Sequence, residues 1–355
     1  MNRPPHSAWL VAVVGLLLGL VYVVRSLAAV DWDPSLFAAF GEEATPTRVY
    51  AEERLGEVWL RATQGHDGKF FFVQANDPWL LEPEVNAAVL DRPAYRSQRM
   101  LYPAIAGGGG LLQPTAILWS MIAVNIASLA AGTWAVARIA EEVGGSPWWG
   151  LTFALNPGLI SEIAIGGAGV LAAACAFGGI LFLLRERYAP AVALLSAAVL
   201  AREAMLLVVG GCALWLFLRR ERSRAVAVAA IPAVAAGMWA VYVRLRVADL
   251  IEGAQIQEIG VPFRGFVDAF SSWGNDPQSL LTGCAIMLLL AIFAVRTAVT
   301  RQLLGLAFAG FVALAVVFTE QVWRSYFDIT RAVAPVITAY LVAAFASRRQ
   351  ASPAR

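Results

Sequence analysis

Apolar runs long enough to cross a lipid bilayer recur from residue 9 to residue 346. A helical span needs roughly 20 mainly apolar residues. Helices are expected because the chain lacks the short alternating segments of a membrane β-barrel. The pattern predicts an all-α, polytopic transmembrane helix bundle that forms a single domain over residues 1–355. About ten crossings are expected, at 9–28, 115–137, 147–163, 167–184, 189–201, 203–218, 224–243, 279–296, 302–319 and 331–346.

The apolar stretch 189–218 decides the predicted topology. As one helix it would place the basic clusters 185–187 and 219–222 on opposite sides of the membrane, which the positive-inside rule opposes. We therefore expect a break at 201–203, giving two short crossings or a re-entrant pair. The inner segments then hold 13 basic and 4 acidic residues, and 14 basic and 21 acidic residues remain outside. This orientation places both termini in the cytoplasm and the loops 29–114 and 244–278 outside.

Composition agrees with a membrane protein, since 59% of the residues are hydrophobic and the mean hydropathy is +0.66. A single Lys among 27 Lys and Arg residues, together with abundant Ala, indicates a bacterial genome of high GC content. The predicted location is therefore the bacterial cytoplasmic (inner) membrane, with membrane lipids and no nucleic acid as partners. The first run is expected to be an uncut anchor, because it is longer than a typical signal-peptide core and Arg25 follows it.

The polar block 65–103 carries the candidate chemistry. Gly65, His66, Asp67 and Gly68 form a turn-like cluster before three consecutive Phe residues. Flanking glycines let the backbone bring a carboxylate close to a ligand. An Asp beside apolar rings is expected to have a raised pKa, which suits a general base. The alternative is an Asp-Gly turn that only reverses the chain.

Two arginines, Arg96 and Arg99, follow with Tyr95 and Tyr102 beside them, just before the chain re-enters the membrane. Guanidinium forks suit phosphate oxygens. Their expected depth suits a lipid-linked phosphate, although snorkelling to phospholipid headgroups is an equally physical interpretation.

Further charges interrupt apolar runs. Arg202 and Glu203 lie between two of them, and a charge at mid-membrane costs at least roughly 2.5–3.5 kcal/mol unless it is paired or reaches water. The same cost applies to Arg331 and Asp328, and Glu162 stands at the outer end of another predicted span. These acids and bases from separate spans could line one cavity, or form structural ion pairs only.

At these residues the chain resembles the GT-C superfamily of integral membrane glycosyltransferases, and more distantly the PIG-V-like mannosyltransferases. The resemblance is specific only in the block 66–103, and weaker similarity extends to 155–157, 200–203 and 330–335. The specific resemblance is carried by His66-Asp67-Gly68, Phe71, Ala75, Asp77-Pro78, Leu90-Asp91, Pro93-Ala94-Tyr95-Arg96, Gln98-Arg99 and Leu101-Tyr102-Pro103.

The resemblance implies transfer of a sugar from a polyprenyl-phosphate donor to an extracytoplasmic glycan, lipid or protein acceptor. It implies that a first-loop Asp is the base, for which Asp67 is the candidate, and our hypothesis is an inverting reaction, although the sequence does not fix the stereochemistry. The implied donor-phosphate residues are Arg96, Arg99, Arg202 and Arg331, and the supporting residues are His66, Lys69, Asp77, Asp91, Tyr95, Tyr102 and Glu203.

The chain departs from the family pattern at three positions. His66 replaces an aromatic residue, Lys69 replaces a Gln, and Ala201 stands where Thr is common. Asp31 or Asp33, directly after the first span, is a rival base.

Several alternatives remain open at this point. No cofactor and no metal-ligand set are predicted, but a divalent cation, Mg²⁺ or Mn²⁺, at Asp67 and Asp77 is a possible aid. Residues 47–62 are expected to form an amphipathic helix, either on the membrane surface or packed on the loop. Other classes of function are a lipid or glycolipid transporter and a non-catalytic membrane assembly subunit.

Overall fold

The computed structural model describes residues 7–43, 45–62, 64–247 and 259–345. Within these ranges the protein is all-α, with eighteen α-helices and one two-stranded parallel sheet of β1 (Phe40–Gly41) and β2 (Leu60–Arg61). The helices are α1 (Ser7–Ala28), α2 (Pro46–Leu55), α3 (Gly68–Asn76), α4 (Pro83–Val89), α5 (Pro93–Arg96), α6 (Leu101–Gly109), α7 (Pro114–Glu142), α8 (Leu151–Ala154), α9 (Pro157–Ala164), α10 (Gly169–Leu184), α11 (Tyr188–Ala201), α12 (Leu206–Leu218), α13 (Arg222–Val247), α14 (Arg264–Ser272), α15 (Pro277–Thr300), α16 (Leu303–Val316), α17 (Glu320–Trp323) and α18 (Tyr326–Phe345).

Five helices of the described chain, α1, α7, α13, α15 and α18, are long and apolar enough to span a membrane, which indicates a multi-pass membrane protein. The prediction of ten such crossings is wrong. Four other apolar segments are shorter. The longest single α-helix among them, α10 with 16 residues, extends only about 24 Å at about 1.5 Å per residue.

The region 147–163 is the clearest departure from the predicted spans. It consists of the 3₁₀ helix Pro147–Gly150 followed by α8 and α9. Asn156 and Pro157 separate the last two helices, because Pro lacks the N–H that would continue α8 and instead favours the first turn of α9.

Small residues allow α1 and α7 to pack closely. A Cβ on Gly15 would lie 2.8 Å from Thr133 Oγ1, and one on Gly19 would lie 2.8 Å from a methyl group of Leu129. Glycines four residues apart form one face of a helix, and such faces let two membrane helices approach.

The predicted break at 201–203 is confirmed. Helix α11 ends at Ala201, the 3₁₀ helix Glu203–Met205 follows, and α12 then turns back. The two basic clusters consequently meet at one end of the bundle, where Arg219 Nη2 lies 3.9 Å from Glu186 Oε1. The Tyr188 hydroxyl also donates to Glu221 at 2.9 Å.

Residues between α1 and α7 pack with the N-terminal part of α7 in a second apolar cluster, which includes Phe40, Phe72 and Tyr102. The predicted helix 47–62 is wrong in its second half, because α2 ends at Leu55 and Gly56 then adopts a positive φ of 78°. Helix α2 buries Thr47, Tyr50 and Ala51 and contacts α3 and α4, so it packs on the loop.

The C-terminal end of α13 holds the first loop. Arg246 donates to the Leu80 carbonyl at 2.7 Å, Tyr242 to the Trp79 carbonyl at 2.6 Å, and Trp239 to the Ser97 carbonyl at 2.7 Å. Helix α13 thus continues to residue 247, beyond the predicted span end at 243. Residues 248–258 of the second predicted loop lie outside the described residues.

Candidate functional site

Asp67 stands at the start of α3, in a chain segment that two glycines bring against its neighbours. Gly65 has a φ of 78°, and a Cβ there would lie 2.3 Å from the Ala39 carbonyl oxygen. A Cβ on Gly68 would lie 2.3 Å from the Ile165 carbonyl oxygen. These glycines therefore permit close backbone packing, which places Asp67 at the edge of the helix bundle. The Asp67 side chain makes no capping hydrogen bond, so its carboxylate is available for other contacts.

Two arginines from distant parts of the chain bind the Asp67 carboxylate. Arg96, at the end of α5, places Nη1 2.9 Å from Oδ1. Arg331 of α18, 264 residues away, places Nη2 2.9 Å from Oδ2. Asp67 thus joins the first loop to the last helix of the bundle.

A buried carboxylate, Glu162 of α9, extends this network. Its Oε1 lies 3.2 Å from Nε of Arg331 and 3.5 Å from Nη1 of Arg202. Its Oε2 accepts a hydrogen bond from the Gly169 backbone at 3.1 Å. Arg331 also lies 3.5 Å from Asp328. Glu162 is only 3% exposed, so it acts as the shared internal counter-ion of two arginines.

Helix α9 is held against α18 by Asn156, the residue that caps its N-terminus. Asn156 accepts from the Gly158 backbone at 3.0 Å and donates to the Ala334 carbonyl at 2.8 Å. Gly158 lets the helices touch, because a Cβ there would lie 2.1 Å from the Thr330 carbonyl oxygen. The Asn-Pro-Gly sequence therefore aligns Glu162 with Arg331.

Arg96 and Arg99 each form a bidentate pair with a carboxylate. Arg96 binds Asp91 through two contacts of 2.9 Å, and its guanidinium lies over the Phe70 ring at 3.9 Å. Arg99 binds Glu203 through contacts of 2.9 and 2.8 Å. The pair between Arg99 and Glu203 ties the first loop to the break between α11 and α12.

A cavity of about 610 Å³ connects these groups. It brings together most of the residues that the sequence indicated from three separate regions, and its wall carries more cationic than anionic side chains. The ionisable lining residues are Glu43, His66, Asp67, Lys69, Asp91, Arg92, Tyr95, Arg96, Arg99, Arg202, Asp328 and Arg331.

The expected rise in the pKa of Asp67 is wrong. Burial favours the neutral acid, but the positive charges of Arg331 and Arg96 outweigh it and hold the pKa well below its usual range. Burial, followed by Arg331, lowers the pKa of His66, so this imidazole is neutral near pH 7. The resting site thus contains an ionised, doubly paired carboxylate, which is a weak base in that state.

Asp77 does not join Asp67. Its carboxylate accepts from the backbone N–H groups of Leu81 and Glu82 at 2.8 and 2.9 Å and lines a different, smaller cavity. Within the described chain, no group of three His, Cys, Asp or Glu side chains is placed to hold a metal ion. The two aspartates therefore do not fit the divalent cation that was considered for them.

Other indicated residues also lie outside the cavity lining, and Glu203, which pairs with Arg99, is one of them. Tyr102 is buried in the loop core, where its hydroxyl accepts from Asn125 at 2.9 Å. Asp33 caps a 3₁₀ helix by accepting from the Ser35 backbone at 2.8 Å. Asp31 does not line the cavity either. The rival base positions are thus separated from the arginine cluster.

The sequence indicated Glu162 only as one of several outer charges that could line a cavity, and it gave no site role to Phe70. An acid within an apolar run was the available signal for Glu162, because such a charge requires a partner. No local signal distinguished Phe70 from its two aromatic neighbours.

Chemically, the cavity offers guanidinium forks for an anion and a carboxylate that can accept a proton once it is released from them. Compared with known proteins, the chain matches no family model, no curated protein and no solved structure.

Proposed function

We propose that the protein is a membrane glycosyltransferase that moves a sugar from a polyprenyl-phosphate donor to an extracytoplasmic acceptor. One observation carries this proposal. Asp67 contacts Arg96 of the loop and Arg331 of the bundle, both at 2.9 Å, in the wall of a cavity. A proton acceptor and phosphate-binding groups are therefore adjacent, as the resemblance to GT-C glycosyltransferases implies.

Arg202 is best placed to receive the donor phosphate first. Among the described residues its side chain has a single hydrogen-bonding contact, the 3.5 Å approach to Glu162. A guanidinium carries five N–H donors, so most of them are available to phosphate oxygens. Arg202 also lies between the apolar helices α11 and α12, where a prenyl tail could remain in hydrocarbon while the phosphate enters the cavity.

In the proposed reaction, Asp67 removes the proton from an acceptor hydroxyl, and the acceptor oxygen attacks the anomeric carbon. The bond from that carbon to the phosphate oxygen breaks, and its electron pair leaves with the lipid phosphate, which inverts the anomeric centre. The arginines stabilise the negative charge that develops on the phosphate. General-base catalysis of this kind contributes typically about 10²- to 10⁴-fold.

The low resting pKa of Asp67 is compatible with this role if the donor phosphate competes for the same arginines. Phosphate oxygens that take N–H donors from Arg331 and Arg96 leave Asp67 with less positive charge around it. Its pKa then rises in the donor complex, because both nearby cations stabilise its ionised form. Basicity thus develops only when the donor is bound.

The substitution Asp67→Asn tests the proposal. The two arginines keep other carboxylates, Asp91 for Arg96 and Glu162 for Arg331, so the variant is expected to fold. We expect transfer from a labelled polyprenyl-phosphate sugar to fall by at least about 100-fold. The matched control is Asp268→Asn, which removes an exposed carboxylate that is paired with Arg264 outside the cavity.

Equal transfer by the wild type and the Asp67→Asn variant would remove Asp67 from the mechanism. An absence of transfer by the folded wild type with a panel of prenyl-phosphate sugars would refute the transferase assignment itself.

A further inference from the structure

Lys69 is the single lysine of the chain, which otherwise uses arginine for its basic residues. It is the second residue of α3, two positions after Asp67, and lines the same cavity. Its side chain is nevertheless buried, with the whole residue only 6% exposed. A buried cation in a cavity wall requires a physical explanation, because an isolated charge is costly to remove from water.

The contacts of Lys69 do not neutralise its charge. Its Nζ donates to the Gln64 carbonyl oxygen and lies 5.1 Å from the centre of the Phe70 ring. Within the described part of the chain, no carboxylate lies within 4.0 Å of this ammonium group. The neighbouring acids Asp67 and Asp91 are already paired with Arg96. An ammonium group has three N–H donors, so Lys69 retains donors for a ligand.

Lys69 shares its wall of the cavity with Arg96 and Arg99 but stands opposite Arg202, the arginine proposed to receive the donor phosphate first. The cavity has a loop wall, formed by lining residues between 43 and 99, and a helix wall, formed by lining residues 202 and 321–332. Lys69 belongs to the loop wall, together with Thr45 and Thr47, whose hydroxyl oxygens are 2.9 Å apart. Arg202 and Arg331 belong to the helix wall. Asp67 spans the two walls through its contact with Arg331.

We propose that Lys69 forms an anion-binding subsite on the loop wall and that this subsite takes the carboxylate or phosphate of an acidic acceptor. The assignment of the anion to the acceptor rests on the proposed transferase function, whereas the anion subsite itself does not. An acceptor bound there presents its hydroxyl groups toward Asp67, between Lys69 and the donor on the helix wall. A compact ammonium suits this place, because it is a point charge on a flexible stem.

The charges around Lys69 determine how the subsite depends on pH. Burial lowers the pKa of Lys69, Arg96 lowers it further, and Asp91, Glu43 and Asp67 raise it. An anionic ligand binds the protonated amine more strongly than the neutral amine. Binding therefore raises the pKa of Lys69, and anion affinity decreases as the pH rises through that pKa.

A single lysine makes the test unambiguous. The full chain is produced with ¹³C,¹⁵N-lysine and placed in nanodiscs, so the only lysine Cε resonance reports Lys69. The Lys69→Arg variant confirms the assignment by losing this resonance. Three probes are then titrated at pH 7: D-glucuronate, neutral D-glucose, and a short-chain polyprenyl phosphate.

We expect glucuronate to shift the Cε resonance in a saturable way and to raise the pH midpoint of its titration, and we expect glucose to leave both unchanged. A response to the prenyl phosphate without a response to glucuronate would overturn the assignment to the acceptor. Equal responses to glucose and glucuronate, or no response to any probe, would overturn the anion subsite.

This test is independent of catalysis. A saturable glucuronate shift together with absent transfer would refute the transferase proposal while retaining the subsite. Transfer that is lost in Asp67→Asn, together with an unresponsive Lys69, would retain the transferase and refute the subsite.

Discussion

Replacing Glu162 by Gln isolates the contribution of the buried counter-ion to the stability of the fold. The carboxylate is 3% exposed and its Oε1 receives both Arg331 and Arg202. Its other oxygen accepts from the Gly169 backbone. Glutamine has one oxygen and one NH₂ group, so it cannot serve the arginines and the backbone donor at once.

The expected destabilisation follows from these contacts. Breaking a buried ion pair by removing one partner costs about 3–5 kcal/mol. The low end applies because Arg331 keeps Asp67 and Asp328. A loss of about 3 kcal/mol, at roughly 2 °C per kcal/mol for a larger domain, lowers the unfolding midpoint by roughly 6 °C.

The assay compares thermal unfolding midpoints of purified wild-type and variant protein in the same detergent at one scan rate. Glu52→Gln is the matched control, because Glu52 forms a 2.7 Å pair with Arg48 in which the two side chains are 39% and 27% exposed. Such a surface pair contributes about 0.3–0.5 kcal/mol, so its midpoint should fall by roughly 1 °C at most. Equal midpoints for the two variants would refute the role of Glu162 as a buried counter-ion.

Three further predictions use the same preparations. Gly68→Ala should lower the unfolding midpoint, because the new Cβ would lie 2.3 Å from a carbonyl oxygen and overpacking costs about 1–3 kcal/mol. The control Gly237→Ala should leave the midpoint unchanged, because a Cβ there meets open space. Equal midpoints for the two variants would contradict the close packing at Gly68. Asn156→Ala removes a helix cap and two hydrogen bonds to α18, so the free energy of unfolding should fall by about 3 kcal/mol. A fall below about 1 kcal/mol would count against the role of Asn156 as a cap. Arg96→Gln removes a cation that lowers the pKa of Asp67, so the acid limb of the plot of kcat/KM against pH should move to higher pH. An unchanged acid limb would contradict the pairing of Arg96 with Asp67.

Part of the fold could be predicted from local sequence. Long apolar runs predicted α1, α7, α13, α15 and α18, since hydropathy is a local property of a segment. The break at Arg202 was predicted because charge placement restricts topology. The number of long spans was overestimated, because an apolar run predicts burial in the membrane region but does not determine helix length.

The candidate site was predictable in its residue types and in part of its membership. The arginines and Asp67 share a cavity, as their charges in apolar surroundings indicated. Asp77 and Tyr102 resembled site residues in the same sequence block, but they form a turn and a buried core contact. Sequence proximity could not separate these uses, because the direction of each side chain depends on how the loop folds.

The sequence by itself determined that this is a helical membrane protein and that its chain turns at Arg202. It also determined which charged side chains require partners. Only the tertiary structure decided which partners they have. The pKa of Asp67 shows the difference, since its aromatic neighbours in sequence predict a rise and two guanidinium groups 2.9 Å away produce a fall. The physical reason is that hydropathy accumulates along a segment, whereas ionisation responds to charges within a few ångströms, whatever their distance along the chain.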